Sequence, residues 1–228
     1  MKSYYLTDTL KSNQSVLLNN SNYQFFQGSS YTVTASPVEQ KTKSFAEVTR
    51  QVIANLEGGY YNPVYHNTGD SRYGASGETM FGIDRKAGGS INTTPAGKTF
   101  WSKIDAQQVN TKWRWNYIPP DPLQKELIDS AVTIMKSVYD SNMKSYLADP
   151  VLQRVIESDG RLLFNFIYAC WNGPGWFQRW AAEIKKAYNG GKKTSDELLR
   201  LFVSLRVTSS NSLIAQGGQK ISALVKLA

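Results

Sequence analysis

One cysteine and one histidine in 228 residues remove whole classes of chemistry. A catalytic zinc normally takes three protein ligands dominated by histidine or cysteine, so zinc amidase and metallopeptidase chemistry is not expected, and no metal or cofactor is assigned. With Cys170 alone, a disulfide within the chain is impossible. His66 and Cys170 are the sole base and thiol pair, yet Cys170 lies in Phe166-Ile167-Tyr168-Ala169-Cys170-Trp171, which reads as a buried helix. Free cysteine in such a setting is a packing residue rather than a nucleophile. No apolar run reaches the roughly 18 residues of a membrane span, so none is expected. The start Met1-Lys2-Ser3-Tyr4-Tyr5 lacks the apolar stretch and small-residue cleavage site of a secretory signal, so no export address is expected. Nor is there a long lysine and arginine block; Trp113-Arg114-Trp115 is the sole close interleaving of base and aromatic, and nucleic acid is not expected as a partner. Carboxylates remain for acid-base work.

What the chain does have is enough apolar residue, 41%, for one substantial core, and a formal charge of +8 that favours a polyanionic partner. Residues 1–42 stand apart, rich in Ser, Asn, Thr and Tyr, with β-prone runs Tyr23-Gln24-Phe25-Phe26 and Tyr31-Thr32-Val33-Thr34 between turn signals. They read as an extended or β arm, either packed on the main domain or attached to a larger assembly. Residues 43–228 read as one mainly α domain. Ser44 and Glu47 have capping-box spacing, and Phe45, Val48, Val52 and Leu56 form one stripe ended by Gly58-Gly59. Residues 60–96 lack helical period and read as a long loop or small β region, a length usually tied to function. Helical signals resume at Phe100, Trp101 and Ile104, continuing unevenly to Trp113 and Trp115. The next helix is expected to be capped by Asp121, with Pro122 at its first position, and to be broken at Asp149-Pro150. Leu162 to Trp171 is apolar nearly all round, Asn165 excepted, and should be the central helix. Trp176 to Tyr188, Thr194 to Leu205, and a weaker stretch holding Ile221, Leu224 and Val225 complete the helical pattern.

Glu57 stands at the end of the first of these helices and opens Glu57-Gly58-Gly59-Tyr60. Breaking a glycosidic bond requires an acid that stays protonated near neutral pH, through desolvation or neighbouring negative charge. The unpaired carbonyls at a helix end disfavour a carboxylate by about 0.3–1 kcal/mol. That is too little alone, so burial beside Leu56, Tyr60 and Tyr61 would have to add to it. A second run, Gly77-Glu78-Thr79-Met80-Phe81-Gly82-Ile83, combines glycines that let backbone approach a ligand with a hydroxyl and another carboxylate. A third, Trp171-Asn172-Gly173-Pro174-Gly175, reads as a turn between two helices and as a candidate cleft edge.

The first two runs together resemble the muramidases of glycoside hydrolase family 108, phage and bacterial enzymes with a Glu-Gly-Gly-Tyr run and a later Gly-x-Thr-x-Tyr/Phe-Gly-Ile run. The link between the runs is longer here, and the family's acidic, proline-rich link is missing. The resemblance implies Glu57 as catalytic acid, with Thr79 beside it. The second carboxylate stays open among Asp70, Glu78 and Asp84. Tyr60, Met80 and Phe81 are implied as substrate-binding neighbours. Tyr168-Ala169-Cys170-Trp171-Asn172-Gly173-Pro174-Gly175-Trp176 resembles the Ala-Tyr-Asn-Ala-Gly-Pro-Gly run of soluble lytic transglycosylases, one small residue shorter, which implies a sugar-binding role for Tyr168, Trp171 and Asn172. Both families belong to the lysozyme-like superfamily, so the implied fold is a mainly α (α+β) domain with a small loop or β region beside the catalytic glutamate.

The implied activity is cleavage of the β-1,4 bond between N-acetylmuramic acid and N-acetylglucosamine in peptidoglycan. Two alternatives accompany it: a lytic transglycosylase forming 1,6-anhydro products, and a non-catalytic virion protein with a lysozyme fold. A wall-cutting enzyme without an export signal implies a phage, with the protein in the virion or in the host cytoplasm before lysis. Residues 1–42 are then the segment expected to meet virion proteins.

Overall fold

The computed structural model describes residues 43–57, 65–66, 78–85, 94–107 and 119–225. The chain divides into two units, Met1–Ser36 and Pro37–Ala228, the first of which lies outside the described residues, as do the arm expected over 1–42 and the candidate residues Tyr60 and Asp70. What is described is mainly helical, and no described helix is long and apolar enough to cross a membrane.

Ser44 begins the first helix, α1 (Phe45–Leu56), through the expected box: its hydroxyl accepts from the Glu47 N–H at 3.3 Å and the Glu47 carboxylate accepts from the Ser44 N–H at 2.8 Å. Val48, Val52 and Ile53 are fully buried along one face, and the helix stops where the Glu57 N–H donates to the Ile53 carbonyl. Three short antiparallel strands follow, β1 (Tyr65–His66), β2 (Glu78–Met80) and β3 (Ile83–Asp84), in the order β1-β2-β3 with Tyr65 opposite Thr79 and Met80 opposite Ile83. This is the small β region that the loss of helical period after Glu57 suggests.

The remaining described elements are α2 (Pro95–Asp105), α3 (Asp121–Asn142), α4 (Pro150–Ser158), α5 (Gly160–Trp171), α6 (Pro174–Tyr188), α7 (Ser195–Val207) and α8 (Ser212–Leu224). Two local expectations need correction. Asp121 lies within the first turn of α3 rather than capping it; Pro120, with φ −63° and ψ 155°, holds the cap position, and its carbonyl accepts from the Gln124 N–H. Proline fits there because its φ is preset and the N–H it lacks would have had no helical partner. The break before Pro150 is more elaborate than a proline stop: α3 loosens into a π-helical turn over Met143–Leu147, Ala148 turns left-handed at φ +46°, and Asp149 caps α4, a helix the apolar pattern does not announce.

Helix α5 is the hub. Its residues from Gly160 to Ile167 are all buried, and α1, α3, α4, α6 and α7 pack around it. Asp159 joins α4 to α5. Its carboxylate accepts from the Arg161 N–H at 2.9 Å and binds the Arg161 guanidinium at 2.8 Å, while Asp196 binds the same guanidinium at 2.6 Å from the start of α7. Arg161 and Asp159 are 7% and 3% exposed, so removing one charge strands the other in a desolvated site. Asp159→Ala should therefore cost about 3 kcal/mol or more, tempered by Asp196, and lower the denaturant midpoint without changing the slope. Asp159→Asn, which keeps the cap, should cost less.

Candidate functional site

The tip of the β2–β3 hairpin is built by Phe81 and Gly82, whose φ values of +52° and +68° are both left-handed. Two successive positive φ values make the tight turn that suits the twist of paired strands, and glycine supplies the second without strain. The close approach at Gly82 matters more than its φ. A Cβ added there would overlap Glu57 Oε2 and stand 2.5 and 2.6 Å from Cδ1 and Nε1 of Trp171. Glu57 ends α1, Gly82 turns the hairpin, and Trp171 ends α5, so three segments far apart in sequence meet around one bare Cα.

The meeting is held by a hydrogen bond across 90 residues of sequence, in which Trp171 Nε1 donates to the Phe81 carbonyl at 2.9 Å. The indole is thereby fixed in orientation, half-buried, with its Cδ1–Nε1 edge toward Gly82, which Glu57 Oε2 also approaches. Glu57 itself is half-buried. After Trp171, Asn172 closes α5 with its N–H on the Ala169 carbonyl, and Gly173 at φ +93° redirects the chain into α6. Nothing lies within 4 Å of where a Gly173 Cβ would be, so glycine is required there for its φ and not for space.

Behind Asn172 stands a residue that sequence reading does not single out. Arg206, from α7, is completely buried, and its Nη1 donates to Asn172 Oδ1 at 2.8 Å while Nη2 donates to the Asn165 carbonyl at 3.2 Å. Its guanidinium carbon lies 4.0 Å from the Trp180 ring centre, 4.8 Å from Tyr168 and 5.2 Å from Phe202. No carboxylate pairs with it among the described residues, and its Nε has no acceptor there. Burial pushes the guanidinium down to about 9, which still leaves it cationic at neutral pH. Aromatic faces and carbonyl-type oxygens are what offset the desolvation of this charge. A signal was present in the sequence: Leu198, Phe202 and Arg206 recur every fourth residue, which sets the arginine on the buried stripe of α7.

The other candidates separate clearly. Thr79 is half-buried at the centre of β2, opposite Tyr65 and Asp84. Glu78 opens the same strand and Asp84 lies in the next, so both backbones belong to the hairpin that reaches Glu57. Met80 and Phe81 are corrected: both side chains are fully buried in the core, which leaves neither able to touch a substrate. What that run contributes at its tip is the Phe81 carbonyl and the bare Gly82. Tyr168 is half-buried against Arg206, and its hydroxyl would lie 3.1 Å from a Cβ on Gly217 of α8, so it packs between α7 and α8. Cys170 is 2% exposed and donates to the Phe166 carbonyl at 3.5 Å, and burial pushes its thiol up to about 12. Thiolate chemistry at neutral pH is therefore closed to it.

A separate concavity of about 210 Å³ lies between α6 and the α7–α8 turn, with Trp176, Arg179 and Glu183 on its wall. It lacks the convergence of distant segments that marks Glu57. No protein-family model, curated protein or solved structure matches this chain.

Proposed function

We propose that this chain cleaves the glycan strands of peptidoglycan as a muramidase with a lysozyme-like catalytic fold, Glu57 serving as general acid. The observation that carries the reading is the convergence at Gly82, where the carboxylate of Glu57 and the indole of Trp171 face the same bare Cα. A helix-end carboxylate alone is usually surface decoration. One that is half-buried beside a fixed indole edge and a glycine turn has the partly desolvated setting that general acid work needs.

In this reading Glu57 passes its proton to the glycosidic oxygen as the bond to the anomeric carbon breaks. Water then adds to that carbon from the opposite face and gives its proton to a second carboxylate. A spacing of roughly 6.5–9.5 Å between the two carboxyl groups leaves room for the water. Glu78 and Asp84, on the hairpin that reaches Glu57, and Asp70 are the candidates for the second group. Trp171 offers an aromatic edge for a sugar ring, and the net charge of +8 favours approach to an anionic wall. Residues 1–42 are the segment we assign to attachment within a phage particle.

A second reading is favoured by Trp171-Asn172-Gly173-Pro174-Gly175 standing next to the hairpin. In a lytic transglycosylase the muramoyl 6-hydroxyl would attack in place of water, giving its proton to Glu57, and the product would be an anhydro sugar. Digestion of purified peptidoglycan followed by mass measurement of the soluble fragments separates the two. Fragments containing the added water are expected; anhydro ends would assign the second reading, and an intact wall would refute both.

A further inference from the structure

We propose that Arg206 is a positioning residue that fixes the Asn172 side chain as a hydrogen-bond donor at the edge of the glycan cleft. This rests on the reading that glycan occupies the space beside Glu57 and Trp171. A guanidinium carries donors and no acceptor, so the atom of Asn172 that meets it has to be the amide oxygen. Arg206 Nη1 does donate to Asn172 Oδ1, at 2.8 Å. Turning the amide over would set an NH2 group against a buried cation and remove the charge-assisted bond.

Arg206 cannot easily give way. Its guanidinium is packed by Trp180, Tyr168 and Phe202, and its other terminal nitrogen is held by the Asn165 carbonyl of α5. Behind it, a Cβ added to Gly218 of α8 would come within 2.8 Å of Arg206 Cβ and 2.7 Å of the Val207 N, so α8 closes off retreat. Asn172 is half-buried and follows directly on Trp171, whose indole reaches the Gly82 and Glu57 contact. Its NH2 group has no acceptor among the described residues. The amide therefore has donors alone left to offer, and on the glycan reading the ligand atom it suits is an acceptor: an acetamido carbonyl oxygen or the oxygen of a sugar hydroxyl.

Asn172→Asp tests this with a nearly isosteric change. The carboxylate keeps an oxygen on Arg206 and gains an ion pair, but it turns the group facing the cleft from donor to acceptor. The variant is expected to melt at or above the wild type while its turnover of purified peptidoglycan falls at least tenfold. Asn172→Ala, which leaves the guanidinium without that acceptor, is expected to melt below the wild type and to lose activity too. A merely structural asparagine would show the opposite for Asn172→Asp, activity following the retained fold. Full activity in Asn172→Asp, or a melting point at or below that of Asn172→Ala, overturns the proposal. If wild-type protein leaves peptidoglycan intact, the glycan reading falls. The clamp is then decided by melting points alone: Asn172→Asp at or above wild type, with Asn172→Ala below, supports it, and any other order refutes it.

Discussion

Glu57→Gln is expected to fold and melt like the wild type and to lose peptidoglycan-clearing activity by about 10²–10⁴-fold, the usual contribution of a positioned general acid. Retention of fold follows from the way α1 ends: the backbone N–H of Glu57, not its side chain, closes the last turn on Ile53. Glutamine fills nearly the same volume against Gly82 and Trp171 but has no proton to give at neutral pH. Turbidity of a peptidoglycan suspension, read beside a thermal melt, checks both halves. A Glu57→Gln protein with full activity would remove the assignment of Glu57 and move the acid to another residue, whereas a wild type that clears nothing would favour a non-catalytic virion protein.

Gly82→Ala should be damaging in two ways at once. Its φ of +68° costs an alanine about 1–2 kcal/mol, because the left-handed region brings Cβ against the following carbonyl. The added methyl also needs space taken by Glu57 Oε2 and the Trp171 indole. The indole is tied to the Phe81 carbonyl at 2.9 Å, so the methyl presses on the Glu57 carboxylate and shifts it. Misplacing a reacting group by about 1 Å can cost on the order of 10²-fold in rate. Gly82→Ala is thus expected to unfold at lower denaturant and to lose one to two orders of magnitude in activity. Gly173→Ala shows backbone strain alone: its φ of +93° and ψ of 162° lie where glycine is nearly the sole residue at ease, yet nothing within 4 Å would clash. A Gly82→Ala protein that loses no more stability than the ~1–2 kcal/mol of its own backbone strain would argue that the Gly82 contact is loose.

Local rules made much of the fold legible. The boxes at Ser44 with Glu47 and at Thr194 with Glu197 both form, because a hydroxyl and a carboxylate three residues apart satisfy each other's backbone donors within one turn. The all-apolar stretch to Trp171 is the central helix for the same kind of reason, since a helix without a polar face has to be surrounded. Non-local facts were harder to read. Met80 and Phe81 look like cleft residues when the run is read as a motif, whereas their side chains fill the core and the backbone at the tip makes the contacts. Arg206 reads as a solvated helix cation unless its position on the Leu198 and Phe202 stripe is noticed. Its partner Asn172 is 34 residues earlier, and no spacing rule connects them.

The hydrogen bond from Trp171 to Phe81 also bears on biosynthesis. Glu57 and the hairpin are made before the indole that borders them, which arrives 90 residues after Phe81, and the arginine behind Asn172 comes 34 residues after that asparagine. Arg206 in turn is backed by Gly218 in the last described helix. A ribosome-bound chain therefore holds Glu57 without its indole neighbour until α5 has been made, and Asn172 without its arginine until α7 has been made. On the muramidase reading, cutting power would come only after both helices have emerged, and a chain truncated before α7 would keep Glu57 and Trp171 but lose the arginine that orients Asn172.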